Sequence, residues 1–143
     1  MNVAAILRNK GNAIETVRPD RSVLQACARL TELGIGALVV STDGHRVDGI
    51  ISERDVIRHL ARAGADILDL SVADIMIREV VTCTSEDNIA HLMETMTDHR
   101  IRHLPVVEDG ALIGLVSIGD VVKHRIRETE QEAEALKAYI ATG

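Results

Sequence analysis

The sequence predicts an α/β protein (α+β in some schemes), built as two β-α-β-β-α halves that cover each other's sheets and ending in a long helix. Three observations carry that expectation. The second half of the chain repeats the first. Capping and turn signals cut each half into the same series of pieces. A last helical periodicity runs from about Ile118 to Ala141.

The repeat is direct. "LTELGIGALVVSTDG" lies over "MTDHRIRHLPVVEDG" at a shift of 66 residues, and "GIISERDVIRH" lies over "GLVSIGDVVKH" at a shift of 65. Thr31/Thr97, Ile35/Ile101, Leu38/Leu104 and Val40/Val106 coincide, as do Gly49/Gly114, Ser52/Ser117, Asp55/Asp120 and His59/His124. A unit of half the chain is too long for a solenoid repeat and reads as a duplicated subdomain, with halves at 1–66 and 67–143.

The elements follow in order. "VAAIL" (3–7) is a short helix ahead of the first half. "ETV" is a brief extended piece. "RSVLQACARLTELG" places Val23, Cys27, Leu30 and Leu33 at helical spacing, with Ser22 and Gln25 as a capping box and Gly34 as the stop. "ALVVS" is short and β-branched, hence a strand; "TDGHR" is a turn; "VDGII" is the hairpin partner. "SERDVIRHLARAG" is a helix ending at Gly64. "SVADIM" (71–76) is a connecting helix with Ser71 and Asp74 as its capping pair. The order then recurs: strand "VVTC", helix "NIAHLMETMTDH", strand "HLPVV", turn "EDG", strand "LIGLV" and the last helix. Pro105 cannot donate to a ladder, so it belongs at a strand edge or start. One such unit leaves a sheet face bare, and the short linker at 64–71 lets the two cover each other.

Composition narrows the function. The 143 residues are 46% hydrophobic and 27% charged, normal for a globular protein. Aromatics make up 1%, so a flat ring bound here packs on aliphatic walls. A net charge of −6 with no long basic run argues against nucleic acid. No apolar run approaches membrane-spanning length, and the N-terminus lacks a signal-peptide pattern, so the expected setting is the cytoplasm. Cys27 and Cys83 form neither a disulfide framework nor a CxxC unit. The six His include no HxxxH pair on a helix beside a carboxylate, and His99 and His103 straddle a helix–strand junction, so no metal site is expected. There is no P-loop, GxGxxG or nucleophile–base set, so no enzyme activity is expected.

The pattern Gly-apolar-apolar-Ser-x-x-Asp occurs at 49–55 and 114–120. On spacing alone two readings stand open for Ser52/Asp55 and Ser117/Asp120: a helix capping box, or a carboxylate that accepts from a vicinal diol while free N–H groups face a phosphate. Arg54 near the first pattern, and Arg100 and Arg102 in "HRIRHLP", are either phosphate ligands or solvated side chains. The copies differ, "ER" against "IG" and "GIGA" against "RIRH", so the two sites are expected to be unequal.

Together "VADIM…VVTC", "GALVVSTDGHRVDGIISERD" and "HRIRHLPVVEDGALIGLVSIGD" make the chain resemble a tandem cystathionine-β-synthase (CBS) domain pair, or Bateman module, over essentially its whole length. The resemblance implies two motifs packed through their sheets about a pseudo-twofold axis. It implies a regulatory module binding an adenosine-containing ligand (AMP, ADP, ATP or NAD, with AMP and NAD favoured) between the motifs, acting as a homodimer on an effector protein in trans. It places the ribose diol on Asp55 and Asp120. Ribose or phosphate goes to Ser52, Arg54, Ser117, Arg100 and Arg102. The adenine pocket goes to Thr16, Ala37, Leu38, Val81, Thr82, His103, Leu104 and Pro105. The alternative is a constitutive dimerisation or scaffold module without ligand. In the last helix Val122, Ile126, Thr129, Ala133, Leu136 and Ile140 form a heptad-like seam, open to a second subunit or to the chain's own "VAAIL" helix.

Overall fold

The computed structural model describes residues 1–11 and 14–142. Helix α1 (Val3–Lys10) leads into β1 (Thr16–Val17), α2 (Val23–Leu33), β2 (Ala37–Val40), β3 (Gly49–Ser52) and α3 (Glu53–Ala63). A 3₁₀ turn at Ala65–Asp69 and α4 (Val72–Ile75) connect to the second half: α5 (Ile89–His99), β4 (His103–Glu108), β5 (Ala111–Ser117) and α6 (Ile118–Thr142).

The local signals act as read. Ser22 caps α2, with its Oγ accepting from Gln25 N–H at 3.0 Å while the Gln25 side chain accepts from Ser22 N–H at 2.9 Å. Gly34 closes that helix in the left-handed region, where glycine carries no Cβ penalty. In the second half Arg100 takes the same left-handed cap at φ 55, although it has a Cβ.

The first sheet runs β1-β2-β3, with β1 parallel and β3 antiparallel to β2. The second contains only β4-β5. The predicted "VVTC" strand shrinks to a single parallel bridge, Cys83 to Val106, in the place β1 holds in the first sheet. The two turns differ as well. Asp109 and Gly110 both adopt positive φ, 50° and 79°, which suits a tight two-residue hairpin. In the first half's hairpin turn only Gly44 does, and the loop is longer; there Asp43 Oδ1 accepts from the N–H groups of His45 and Arg46.

Each half has its own core, and the cores exchange connectors. Val72, Ile75 and Met76 of the α4 segment pack with Val23, Leu30, Leu38 and Ile51 of the first half. Val3 and Ile6 of α1 pack with Ile89, Leu92, Leu104 and Val116 of the second. The N-terminus of α1 docks beside that of α5 (Val3 N–H to Asp87 C=O, 2.9 Å), and the N-terminus of α4 beside that of α2 (Val72 N–H to Arg21 C=O, 2.7 Å). The packing units therefore cross the division at residues 66 and 67. Strand β2 is buried on both faces: Leu38 and Val40 enter the first core, while Ala37 and Val39 lie on the opposite face.

Candidate functional site

The Gly-apolar-apolar-Ser-x-x-Asp pattern is a strand running into a capped helix, and the structure shows what each position does. Gly49 permits a close crossing: a Cβ there would meet Met76 Sδ at 2.7 Å and the Ile77 carbonyl at 2.8 Å. Ile77 pairs with Ile50 through two backbone hydrogen bonds, 3.0 and 2.9 Å, so the exit of α4 lies across β3. Ser52 caps α3, accepting from Asp55 N–H at 3.2 Å. Asp55 Oδ2 accepts from Ser52 N–H (2.9 Å) and Ser52 Oγ–H (2.8 Å). Among the described residues nothing hydrogen-bonds to Asp55 Oδ1. The capping reading is thus realised, and it leaves one carboxylate oxygen uncommitted on a residue only 7% exposed.

That residue faces a cleft of about 350 Å³ between the two halves. Its apolar walls come from Gly36, Ala37, Ile50 and Ile77, and its polar rim from Ser52, Glu53, Asp55, Arg54 and Arg58. The second half contributes His99, Arg100, Ile101, Arg102 and His103. Four guanidinium groups stand against two carboxylates, in a chain whose net charge is −6. Arg54 spans the cleft and donates to the Arg100 carbonyl at 3.3 Å. His103 lies against Gly36, where a Cβ would come within 3.2 Å of its ring. Burial, then the nearby Lys10 ammonium, holds His103 below its ordinary pKa, against the opposing pull of Glu53 and Asp120. A shallower groove of about 460 Å³ between α2 and α3 has Glu53 as its one charged lining residue. It offers no cation to an anionic ligand.

The second copy of the pattern is arranged differently. Asp120 Oδ2 accepts from Ser117 N–H at 2.9 Å and from Lys10 Nζ at 2.7 Å. Lys10 also donates to the Leu115 carbonyl at 2.8 Å. Burial pushes the Asp120 carboxyl up, but the Lys10 and Ser117 hydrogen bonds outweigh it and hold the group below its ordinary value. Gly114 admits Leu7 of α1, whose Cδ2 would lie 2.5 Å from an added Cβ. The α1 helix therefore lies against this copy, with its own cation on the carboxylate.

Among the anticipated site residues, Ala37, Ser52, Arg54, Asp55, Arg100, Arg102 and His103 meet in the one cleft. Ser117 and Asp120 lie outside it, at the Lys10 pair. Leu38 and Leu104 have fully buried side chains in the two cores, and Pro105 is buried within β4. Thr16 sits in β1, Val81 packs on the second core and Thr82 is exposed; none of the three lines the cleft. Sequence reasoning missed Ile50, Glu53, Arg58, Ile77 and Ile101. Arg58 is one helical turn beyond Arg54 on the same face, a spacing that could have revealed it. Ile77 arrives by the α4 crossing, which leaves no local signal beyond Gly49.

Among the described residues no three His, Cys, Asp or Glu converge as a metal site. No described helix is long and apolar enough to cross a membrane.

Comparison with known proteins agrees with the two-motif fold. The CBS domain family matches residues 9–62 and 72–127, once in each half. The chain is 37% identical over 149 aligned positions, 99% of its length and 72% of the other's, to the mitochondrial CBS domain-containing protein CBSX3 of Arabidopsis thaliana. The crystal structure of the CBS-domain containing protein ATU1752 from Agrobacterium tumefaciens superposes with a TM-score of 0.84 at 44% identity, covering 87% of this chain and 99% of that one. The CBS domain pair of protein MJ0100, solved in complex with 5'-methylthioadenosine and S-adenosyl-L-methionine, superposes with a TM-score of 0.77 at 24% identity, over 90% of this chain and 98% of that one. With two matched motifs and a shared two-sheet architecture, this chain belongs to the CBS-domain family as a tandem pair.

Proposed function

We propose that the protein is a regulatory, non-catalytic module that binds one adenosine-containing phosphate ligand in the cleft at Asp55. One observation carries the reading: a nearly buried carboxylate with an uncommitted oxygen sits in a cleft with four arginines and an apolar wall. Oδ1 has two lone pairs for the vicinal hydroxyls of a ribose, and acceptance by an ionised oxygen strengthens both bonds. The phosphate then turns toward Arg54, Arg58, Arg100 and Arg102, away from the carboxylate, and guanidinium forks suit its oxygens. The adenine ring lies on Ala37, Ile50 and Ile77, since no aromatic side chain lines the cleft. A volume of about 350 Å³ is at the low end for small-molecule sites. It suits AMP, with ADP or ATP extending toward the arginines; NAD would carry its second nucleotide outside.

Because both halves line the cleft, a ligand there fixes one half against the other. In this reading the liganded homodimer is recognised by an effector protein in trans, in the cytoplasm. The Lys10–Asp120 pair favours a single ligand per chain.

The test is a thermal-shift and calorimetric screen with AMP, ADP, ATP, NAD and S-adenosylmethionine. Ligand at a hundredfold excess over Kd should stabilise the protein by about 2.7 kcal/mol. Asp55→Asn keeps a capping oxygen but loses the charge, and should weaken binding by roughly tenfold to a hundredfold with the fold intact. No shift with any adenosine ligand would move the assignment to a constitutive dimerisation scaffold, for which the caps at both Asp residues suffice.

A further inference from the structure

The α6 helix buries only part of its circumference. Val121 and His124 face the body of the protein, and from Glu130 onward every described residue is exposed. The chain's own α1 segment reaches α6 through the N-terminal ammonium at Glu128 (3.0 Å) and Asn9 at His124 (3.3 Å). The apolar stripe is left uncovered: Ile126 is 54% exposed, Leu136 60% and Ile140 68%. At 100° per residue the stripe lies roughly a third of the way round the helix from the buried face. An exposed stripe of large aliphatic residues along one helix face marks a surface for a partner.

We propose that α6 pairs in parallel, in register, with α6 of a second copy of this chain. The stripe's alternating steps of three and four set the heptad. Ile126, Ala133 and Ile140 fall at the a positions, and Val122, Thr129 and Leu136 at the d positions. Isoleucine at two of the three a positions, with Leu136 at d in the last heptad, follows the choice that favours a parallel two-stranded coil. The flanking charges select the same orientation. In a parallel pair each g residue faces the e residue of the following heptad on the partner. That sets Arg125 beside Glu130 of the second copy, and Glu132 beside Lys137 of the second copy, each twice by symmetry.

The antiparallel alternative that stacks the same apolar layers (Ile126 on Leu136, Thr129 on Ala133, Val122 on Ile140) sets like charges together. Glu130 and Glu132 would each face their own copy, and Lys123 would face Lys137. Charge therefore separates two arrangements that the apolar stripe alone does not. Arg125 holds Glu128 of its own helix in the single chain. Such surface pairs are weak, so exchange to the second copy costs little. The inference rests on the homodimer reading and supplies its surface and orientation. With a threonine and an alanine in the seam, the pairing is reversible and concentration-dependent.

The experiment is sedimentation equilibrium of the full chain with three sets of variants. Wild type should sediment as a dimer that dissociates on dilution. Leu136→Asp should be monomeric with unchanged far-UV circular dichroism, because that side chain lies outside both cores of the single chain. Glu132→Lys and Lys137→Glu should each weaken dimerisation by about tenfold, and the double variant should restore it. Leu136→Cys should cross-link to itself on mild oxidation, as two d residues of one layer do in a parallel coil. A dimer indifferent to Leu136→Asp overturns the α6 pairing and leaves the homodimer reading standing. A wild-type monomer at every concentration overturns both. Loss of dimer in Leu136→Asp, without charge-swap rescue or cross-linking of the Leu136→Cys variant, overturns the parallel register.

Discussion

Asp55 and Asp120 share a sequence pattern and a cap, and one side chain separates their surroundings. Lys10 sits 2.7 Å from the Asp120 carboxylate; none of the described residues pairs with Asp55 in that way. Lys10→Ala should therefore uncover a second acceptor. Titration calorimetry should read one adenosine ligand per wild-type chain and approach two in the variant. A stoichiometry that stays at one would show that the second copy is closed by more than its cation. The pair also has a pH signature. The folded carboxyl is held below its ordinary value of 3.8, so the unfolded chain takes up the proton first. The stabilisation is present above that value and is lost as the pH falls through the lowered one. The melting temperatures of wild type and Lys10→Ala should differ at neutral pH and converge in strong acid. The ionic pair itself was invisible in the sequence, since 110 residues separate its members.

Among the elements, the two glycines of the repeated pattern share a cause, close approach, and differ in tolerance. At Gly49 an added methyl meets a backbone carbonyl at 2.8 Å, which cannot swing aside. At Gly114 it meets the far end of the Leu7 side chain, which has other rotamers. Gly49→Ala should cost about 1–3 kcal/mol in urea unfolding, and Gly114→Ala clearly less. Equal costs would mean that the α4 crossing is not rigid. The helices and their caps were legible beforehand because Ser22, Ser52 and Ser71 act within three residues of themselves. "VVTC" was not, because a strand needs a partner, and only Cys83 finds one. Strand alternation explains the apolar wall of the cleft. Ala37 and Leu38 are neighbours on a strand, so their side chains point to opposite faces. Ala37 lines the cleft and Leu38 fills the core.

The whole molecule is held together by exchanged connectors. Ile6 comes from the first turns of the chain yet has no exposure in the core of the second half. Ile6→Ala should destabilise the protein by about 2–5 kcal/mol. Hydrogen exchange should show the loss concentrated in α5, β4 and β5; uniform loss across both halves would mean that the two cores unfold as one unit. By itself the sequence determined the duplicated order of helices and hairpins, the caps and the motifs by which the family is recognised. All of these rest on spacing along the chain, which local hydrogen bonds and side-chain periodicity read directly. Only the tertiary structure decided that one Asp faces an arginine-lined cleft and the other faces Lys10. That choice depends on which connector crosses which sheet, a contact between distant parts of the chain that no local pattern encodes.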